Sequence, residues 1–316
     1  MPTTAEAVRV LRTHGEGCGV VTDKKEILAH AKKIPSLPSV VLKLRKYLND
    51  PEVNFDELSK VIEYDPGLTA NVLQLANSAY FGWSRTIKSV KDAITRLGTN
   101  RIFQMVLCMS VAPMVRKPIK GYDLDSTDLW EHSIAVAICA EILADELRLR
   151  GVEEGFTAGL LHDIGKIVLG TFVEIDDDPI KEIMALDHLA FNEAEMMVLG
   201  IDHAEVAGVM LGAWNLPGEV VSAARWHHQP NRCDPDHRML VDLIHVADIM
   251  CLQAGYGLGI DGVNYRSDES AAVRLGLSQA QVELILEKTG TGVEEMKTLF
   301  QPRTEERKPV GSSSHR

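Results

Sequence analysis

Apolar residues along this chain recur at steps of three and four and rarely at alternate positions. Leu68, Val72, Leu75 and Ala79 form one such stripe, the spacing that puts an apolar face on a helix. No series of alternating segments and no Asn-Gly turn accompanies it. The pattern predicts an all-α protein. Polar punctuation agrees, since Asn54-x-x-Glu57, Asp202-x-x-Glu205, Ser278-x-x-Gln281 and Thr291-x-x-Glu294 read as capping boxes. Asp65-Pro66 sets a cap and a proline at a helix start, and Gly98 is placed to stop the helix before it. Helices are expected over 24–33, 37–49, 55–64, 66–77, 89–97, 100–114, 126–149, 154–168, 190–198, 203–214, 218–228, 236–254, 279–288 and 292–299.

The polar stretch RKPIKGYDLDST, Arg116 to Thr127, carries proline and glycine and makes the best internal boundary. It separates an N-terminal helical half, 24–117, from a second half, 118–231, which a helical extension over 232–300 follows. Residues 1–23 and 301–316 lack periodicity and read as a mobile segment and a disordered tail. The glycine-rich AGYGLGIDGVNYRSDES does not follow a strand, which argues against a dinucleotide-binding loop.

With 316 residues, 45% of them hydrophobic, the chain can bury one large core or two modest ones. No run approaches the roughly 18–20 apolar residues that cross a bilayer, and the first residues do not follow a signal-peptide pattern. Five scattered cysteines, never in a C-x-x-C pair, argue against a disulfide framework and a cysteine zinc site. A net charge of −12 disfavours a nucleic-acid surface. These features give the expectation of a cytoplasmic protein with no membrane and no direct nucleic-acid contact.

Several polar residues stand in apolar surroundings, where an unpaired group is costly. His162 and Asp163 lie side by side in GLLHDIGKIVLG, His132 and Asp248 in two apolar helices. His203 follows a helix cap, and His227–His228 end a helix before Pro230. Each has an ordinary reading: a core histidine bonded to a carbonyl, a surface pair, a neutral imidazole at a helix N-terminus. As a series, imidazoles and carboxylates from different helices are what a bundle uses to hold metal. A set without thiolate suits Fe or Mn first, then Zn, with Mg less natural.

The order H…HD…H…HH…D, with HDIGK at its centre, resembles the HD superfamily of metal-dependent phosphohydrolases. IPSLPSVVLKLRKYLNDPEVNFDELSKVIEYDPGLTANVLQLANSAYFG, then IKSVKDAITRLGTNRIFQMVL, GIDHAEVAGVMLGAWNLP and WHHQP, resembles the HDOD branch, the HD-related output domain of bacterial signalling, over about residues 30–231. The resemblance implies metal ligands at His132, His162, Asp163 and Asp248, with His203, His227 and His228 added in two-metal relatives. It implies one or two divalent ions, bridged by Asp163. It also places Lys166 where the cyclic-dinucleotide branch, HD-GYP, has a lysine near phosphate, and Asp128 where some of that branch carry a further ligand; a plain first-turn residue is the better reading of Asp128. Two departures argue against cyclic-dinucleotide hydrolysis: Gln229 replaces a glutamate, and DIMCLQAGYGLG stands where that branch has an Arg-Pro-Tyr segment.

Two functional readings follow. One is a signalling output module that holds metal as a structural or sensing element and binds a protein partner or a nucleotide; Tyr80, Phe81 and Trp83 are candidates for a docking patch. The other is a phosphohydrolase or phosphodiesterase in which Asp163 and Lys166 are the catalytic residues.

Overall fold

The computed structural model describes residues 24–48, 52–78, 85–173, 189–257 and 265–300. Among these, every regular element is helical, and Ile119 and Leu124 form an isolated antiparallel bridge. Tyr80, Phe81 and Trp83, and both terminal segments, lie outside the described residues.

The first half contains α1 (Lys24–Ala31), α2 (Ser39–Leu48), α3 (Phe55–Glu63), α4 (Pro66–Ala76) and the long α5 (Val90–Val115). Local chemistry sets several starts. Asp65 Oδ1 accepts from the backbone N–H groups of Gly67 and Leu68 at 2.8 and 3.0 Å, with Pro66 in the first turn. Asn54 caps α3 through Asp56 N–H, not through the expected Glu57 box. Gly98 interrupts α5 at φ 80°, a conformation that glycine adopts without strain, so the expected stop is a kink and the chain carries on helically. α2, α3 and α4 pack on α5 around Val41, Leu44, Ile62, Val72 and Ile94. α1 packs instead on elements of the second half, and Lys24 pairs there with Glu205 at 3.0 Å.

The second half and its extension contain α6 (Asp128–Glu146), α7 (Gly155–Leu161), α8 (Lys166–Val173), α9 (Phe191–Leu199), α10 (His203–Ala213), α11 (Gly218–Trp226), α12 (Arg238–Gln253), α13 (Glu269–Leu275) and α14 (Gln279–Phe300). α6 is central, packed by α7, α12 and α14.

Three elements differ from the sequence pattern. The segment expected as one helix over 154–168 breaks at 162–165, at the His-Asp pair itself. α13 starts at the last two residues of the stretch read as a glycine-rich loop and runs on to Leu275, where no helix was expected; Asp268 caps it through Ser270 N–H. The two expected C-terminal helices are one, because burial of Ile285, Thr289 and Val293 holds α14 continuous through Gly290 and Gly292. Thr291 is therefore no cap: its hydroxyl donates back to the Glu287 carbonyl at 3.2 Å. Within the polar 116–127 boundary Ile119, Gly121, Tyr122 and Leu124 are buried, while Lys117, Pro118, Lys120, Asp123, Asp125 and Ser126 are exposed.

No single helix among the described residues is long and apolar enough to cross a membrane; the pair α9–α10, bent by 79°, passes that test only when taken together.

Candidate metal centre

Asp163 stands at the middle of the centre, 1% exposed. It lies in the break between α7 and α8, and the break depends on Gly165. A Cβ there would sit 2.0 Å from the His203 carbonyl oxygen, so only glycine lets α10 approach this closely. Asp163 thereby faces His203 at the first turn of α10, His132 on α6, and His227 at the end of α11.

The two carboxylate oxygens of Asp163 look in different directions. Oδ2 lies 3.4 Å from His162 Nε2 and 3.6 Å from His132 Nε2. Oδ1 lies 3.3 Å from His203 Nε2 and 3.6 Å from His227 Nε2. Asp248, from α12, closes the first group, its Oδ1 being 3.1 Å from His132 Nε2. His228 closes the second, its Nε2 lying 2.8 Å from His203 Nε2. All seven residues singled out in the sequence as ligands therefore converge. His227, for which a surface position was an alternative, is fully buried.

Backbone carbonyls set the orientation of the imidazoles. His162 Nδ1 donates to the Gly159 carbonyl at 2.7 Å, His227 Nδ1 to Ala224 at 2.7 Å, and His132 Nδ1 to Tyr256 at 3.2 Å. A carbonyl only accepts, so each Nδ1 carries a proton and each Nε2 is turned inward, toward the carboxylates. Glu195 does the same for His203, accepting from its Nδ1 at 2.7 Å and from its backbone N–H at 3.0 Å, and Tyr122 OH donates to the other Glu195 oxygen.

Of the five buried side-chain atoms without a hydrogen-bond partner among the described residues, three lie in this centre: Asp163 Oδ1, Asp248 Oδ2 and His227 Nε2. All three are lone-pair atoms. Leaving such groups unpaired costs about 1–3 kcal/mol each, and what satisfies a converging set of lone pairs is a cation. The residues also sort into three overlapping groups of candidate ligands: His132, His162 and Asp163 on one side, Asp163, His203, His227 and His228 on the other, and His162, His227 and Asp248 between them. The donor set fits one or two divalent ions, and no cysteine takes part.

Protons and Lys166 hold the centre together in the cation-free chain. Burial opposes charge on His203, but Glu195 and Asp163 outweigh it and lift its pKa to about 10. The ordinary alternative for His203, a surface imidazole near a helix N-terminus, does not hold, since the residue is fully buried. Burial, with the neighbouring His227 and His203, holds His228 well below the usual histidine range, so His203 is the donor in the pair. Burial also opposes ionisation of Asp163, yet Lys166 and His162 hold its carboxyl well below the usual range. The Lys166 ammonium is buried and lies 2.6 Å from Asp163 Oδ2, with the rings of Tyr122 and Tyr265 each 5.6 Å away. Asp128 is not in the centre; its carboxylate accepts from Asp125 N–H at 2.6 Å in the turn before α6.

The HDOD domain family pattern matches residues 34–230. The chain is an HDOD protein. The HDOD match ends before Asp248 and Tyr256, which the extension supplies. Among solved structures, an HDOD domain protein of unknown function from Geobacter sulfurreducens is 25% identical, with a TM-score of 0.67 over 89% of this chain and 100% of that one. A Shewanella amazonensis SB2B protein, provisionally named a phosphohydrolase, is 26% identical, with a TM-score of 0.63 over 86% of this chain and 97% of that one. An uncharacterised protein of Treponema pallidum (strain Nichols) is 23% identical over 68% of this HDOD chain, which spans 42% of that relative's length.

Three residues of the centre went unread in the sequence. Glu195 looked like an ordinary acid in an amphipathic stretch, and Tyr122 sat in a segment read as linker. His245 bonds through Nδ1 to the His227 carbonyl at 2.6 Å and accepts from Asp268 N–H at 2.8 Å, fixing the double-histidine segment from behind. A shared apolar context was the one available signal for His245, three residues before Asp248.

Proposed function

We propose that this HDOD chain is a cytoplasmic signalling output module whose His/Asp core holds one or two divalent ions, Fe or Mn before Zn, with Mg least suited, and whose surface is read by a protein partner or a nucleotide. The observation that carries it is the convergence of three partnerless lone-pair atoms inside a buried core. Such a core gains stability from a cation without any chemistry following. His132, His162, Asp163, His203, His227, His228 and Asp248 are the proposed ligands. Metal there pins α6, α10 and α12 to the α7–α8 break and to the end of α11.

Two features favour a structural or sensing ion over a catalytic one. Lys166, the candidate phosphate-holding cation, is engaged with Asp163. Six of the seven proposed ligands are buried, and His228 alone is half-buried. One observation favours the phosphohydrolase reading: His228 lines an open cavity of about 500 Å³. In that reading a bound metal would activate water, and Asp163 and Lys166 would be the catalytic residues.

The test is metal content per chain on protein purified anaerobically without a histidine tag, followed by turnover of simple phosphodiesters and nucleotides by the metal-replete protein. One or two ions with no turnover supports the module. Turnover abolished by Asp163→Ala transfers the chain to the hydrolases. Absence of metal overturns both readings of the core.

A further inference from the structure

His228 is the point at which the centre meets the surface. Its ring stacks on Tyr265, centroids 4.2 Å apart, and it lines two adjoining clefts of about 500 and 470 Å³. Both clefts share Gln229 and Arg232.

Several charges in these clefts are matched, although the exposed Glu269 at the smaller one has no ion pair among the described residues. Arg266 pairs with Glu193 at 3.0 Å and Arg225 reaches Glu205 at 3.7 Å. Across the opening, the Asp268 carboxylate is taken by Asn231, Ser270 and the α13 cap. Arg232 differs. No carboxylate among the described residues pairs with it. Its Nη1 donates to the neutral Gln229 Oε1 at 2.8 Å, and its guanidinium lies 5.4 Å from the centre of the Trp226 ring. The short 3-10 turn Pro230–Arg232 holds the residue in place. The guanidinium is therefore oriented by an amide and an indole and left with its charge unspent, in a chain of net charge −12. Planar forked donors of this kind recognise phosphoryl or carboxylate oxygens. Beyond Arg232 the larger cleft runs on past Trp226 to Met196, Met197 and Leu189, an apolar wall with room for a ring system.

We propose that this cleft binds a nucleoside phosphate, with Arg232 on the phosphoryl group, Gln229 holding Arg232 in position, and the base against the Trp226–Met197 wall. The proposal rests on the reading of the chain as a regulatory module and names the ligand class of its surface. A ligand seated there touches the metal centre through His228, so occupancy of the cleft and of the core are coupled at one side chain.

The experiment is calorimetric titration of the full chain with AMP and GMP, with adenosine and inorganic phosphate as separate arms, and metal content measured on every sample. Binding of at least one nucleotide is expected, tighter than adenosine or phosphate and weaker as salt is raised. Arg232→Gln should weaken it by roughly tenfold or more. Gln229→Glu, which gives Arg232 an internal counter-ion, should weaken it in the same direction with the fold intact. Wild-type affinity in both variants overturns the proposal, as does phosphate binding as tightly as the nucleotides, or no binding in any arm. Loss of metal with Arg232-dependent binding intact refutes only the reading of the core; metal present with no nucleotide binding refutes only the cleft.

Discussion

The two halves of this molecule bury their interiors on opposite terms. Around α5 the core is aliphatic, with Val41, Leu44, Ile62, Val72 and Ile94 in contact, and its caps spend their polar atoms on backbone N–H groups. Around α6 the core encloses His132, His162, His203, His227, His245, Asp163, Asp242, Asp248, Glu195 and Lys166, three of whose atoms go unpartnered. Among the described residues, the first arrangement leaves one buried polar atom, Ser78 Oγ, without a partner and gathers no ligand cluster. The second is held by protons and Lys166 and would be completed by the proposed cation, so the stability of the two halves should respond to different variables.

The largest expected effect is that of Asp163→Ala. It removes the carboxylate shared by two of the ligand groups and takes the negative charge away from the buried Lys166 ammonium, a change that costs about 3–5 kcal/mol. Urea unfolding should show that loss, and metal content should fall to background. Ile62→Ala, a cavity in the aliphatic core, should cost about 2–5 kcal/mol yet leave metal content per folded chain unchanged; a parallel loss of metal would erase the distinction between the halves.

A pH series sharpens the comparison further. The folded His203 pKa of about 10 lies above its ordinary 6.5, so protonation stabilises the cation-free protein fully below about pH 6.5. That contribution is lost as pH rises through about 10. A metal ion must displace the same proton, so metal affinity should rise across the window in which cation-free stability falls. Melting curves with and without chelator would show the two opposed slopes. Tyr122→Phe should be mildest, removing one hydrogen bond to Glu195 at about 1 kcal/mol and weakening metal retention without abolishing it.

The fold was legible where the signals were local. Asp65-Pro66, Asp202-x-x-Glu205 and the apolar stripes act within one or two turns, and they place helices within a few residues of their observed ends. Long-range packing escaped. Gly290 and Gly292 carry a helix-breaking signal that is locally correct, and only burial against α6 and its neighbours overrides it. The candidate ligands were visible as an ordered series, although their convergence rests on the close approach at Gly165. Glu195 and Tyr122 could not be read, because their partners lie eight and 73 residues away and nothing in their own segments marks them.

Where the family pattern stops and where the centre stops are different places. Residue 230 ends the former, while Asp248 and the Tyr256 carbonyl that aims His132 lie further on. For anyone dissecting the protein, trimming to the recognisable module would produce a fragment with all five ligand histidines and Asp163 but without Asp248, the carboxylate that closes the group around His132. Family membership alone would then credit the fragment with a first ligand group that only the longer chain completes.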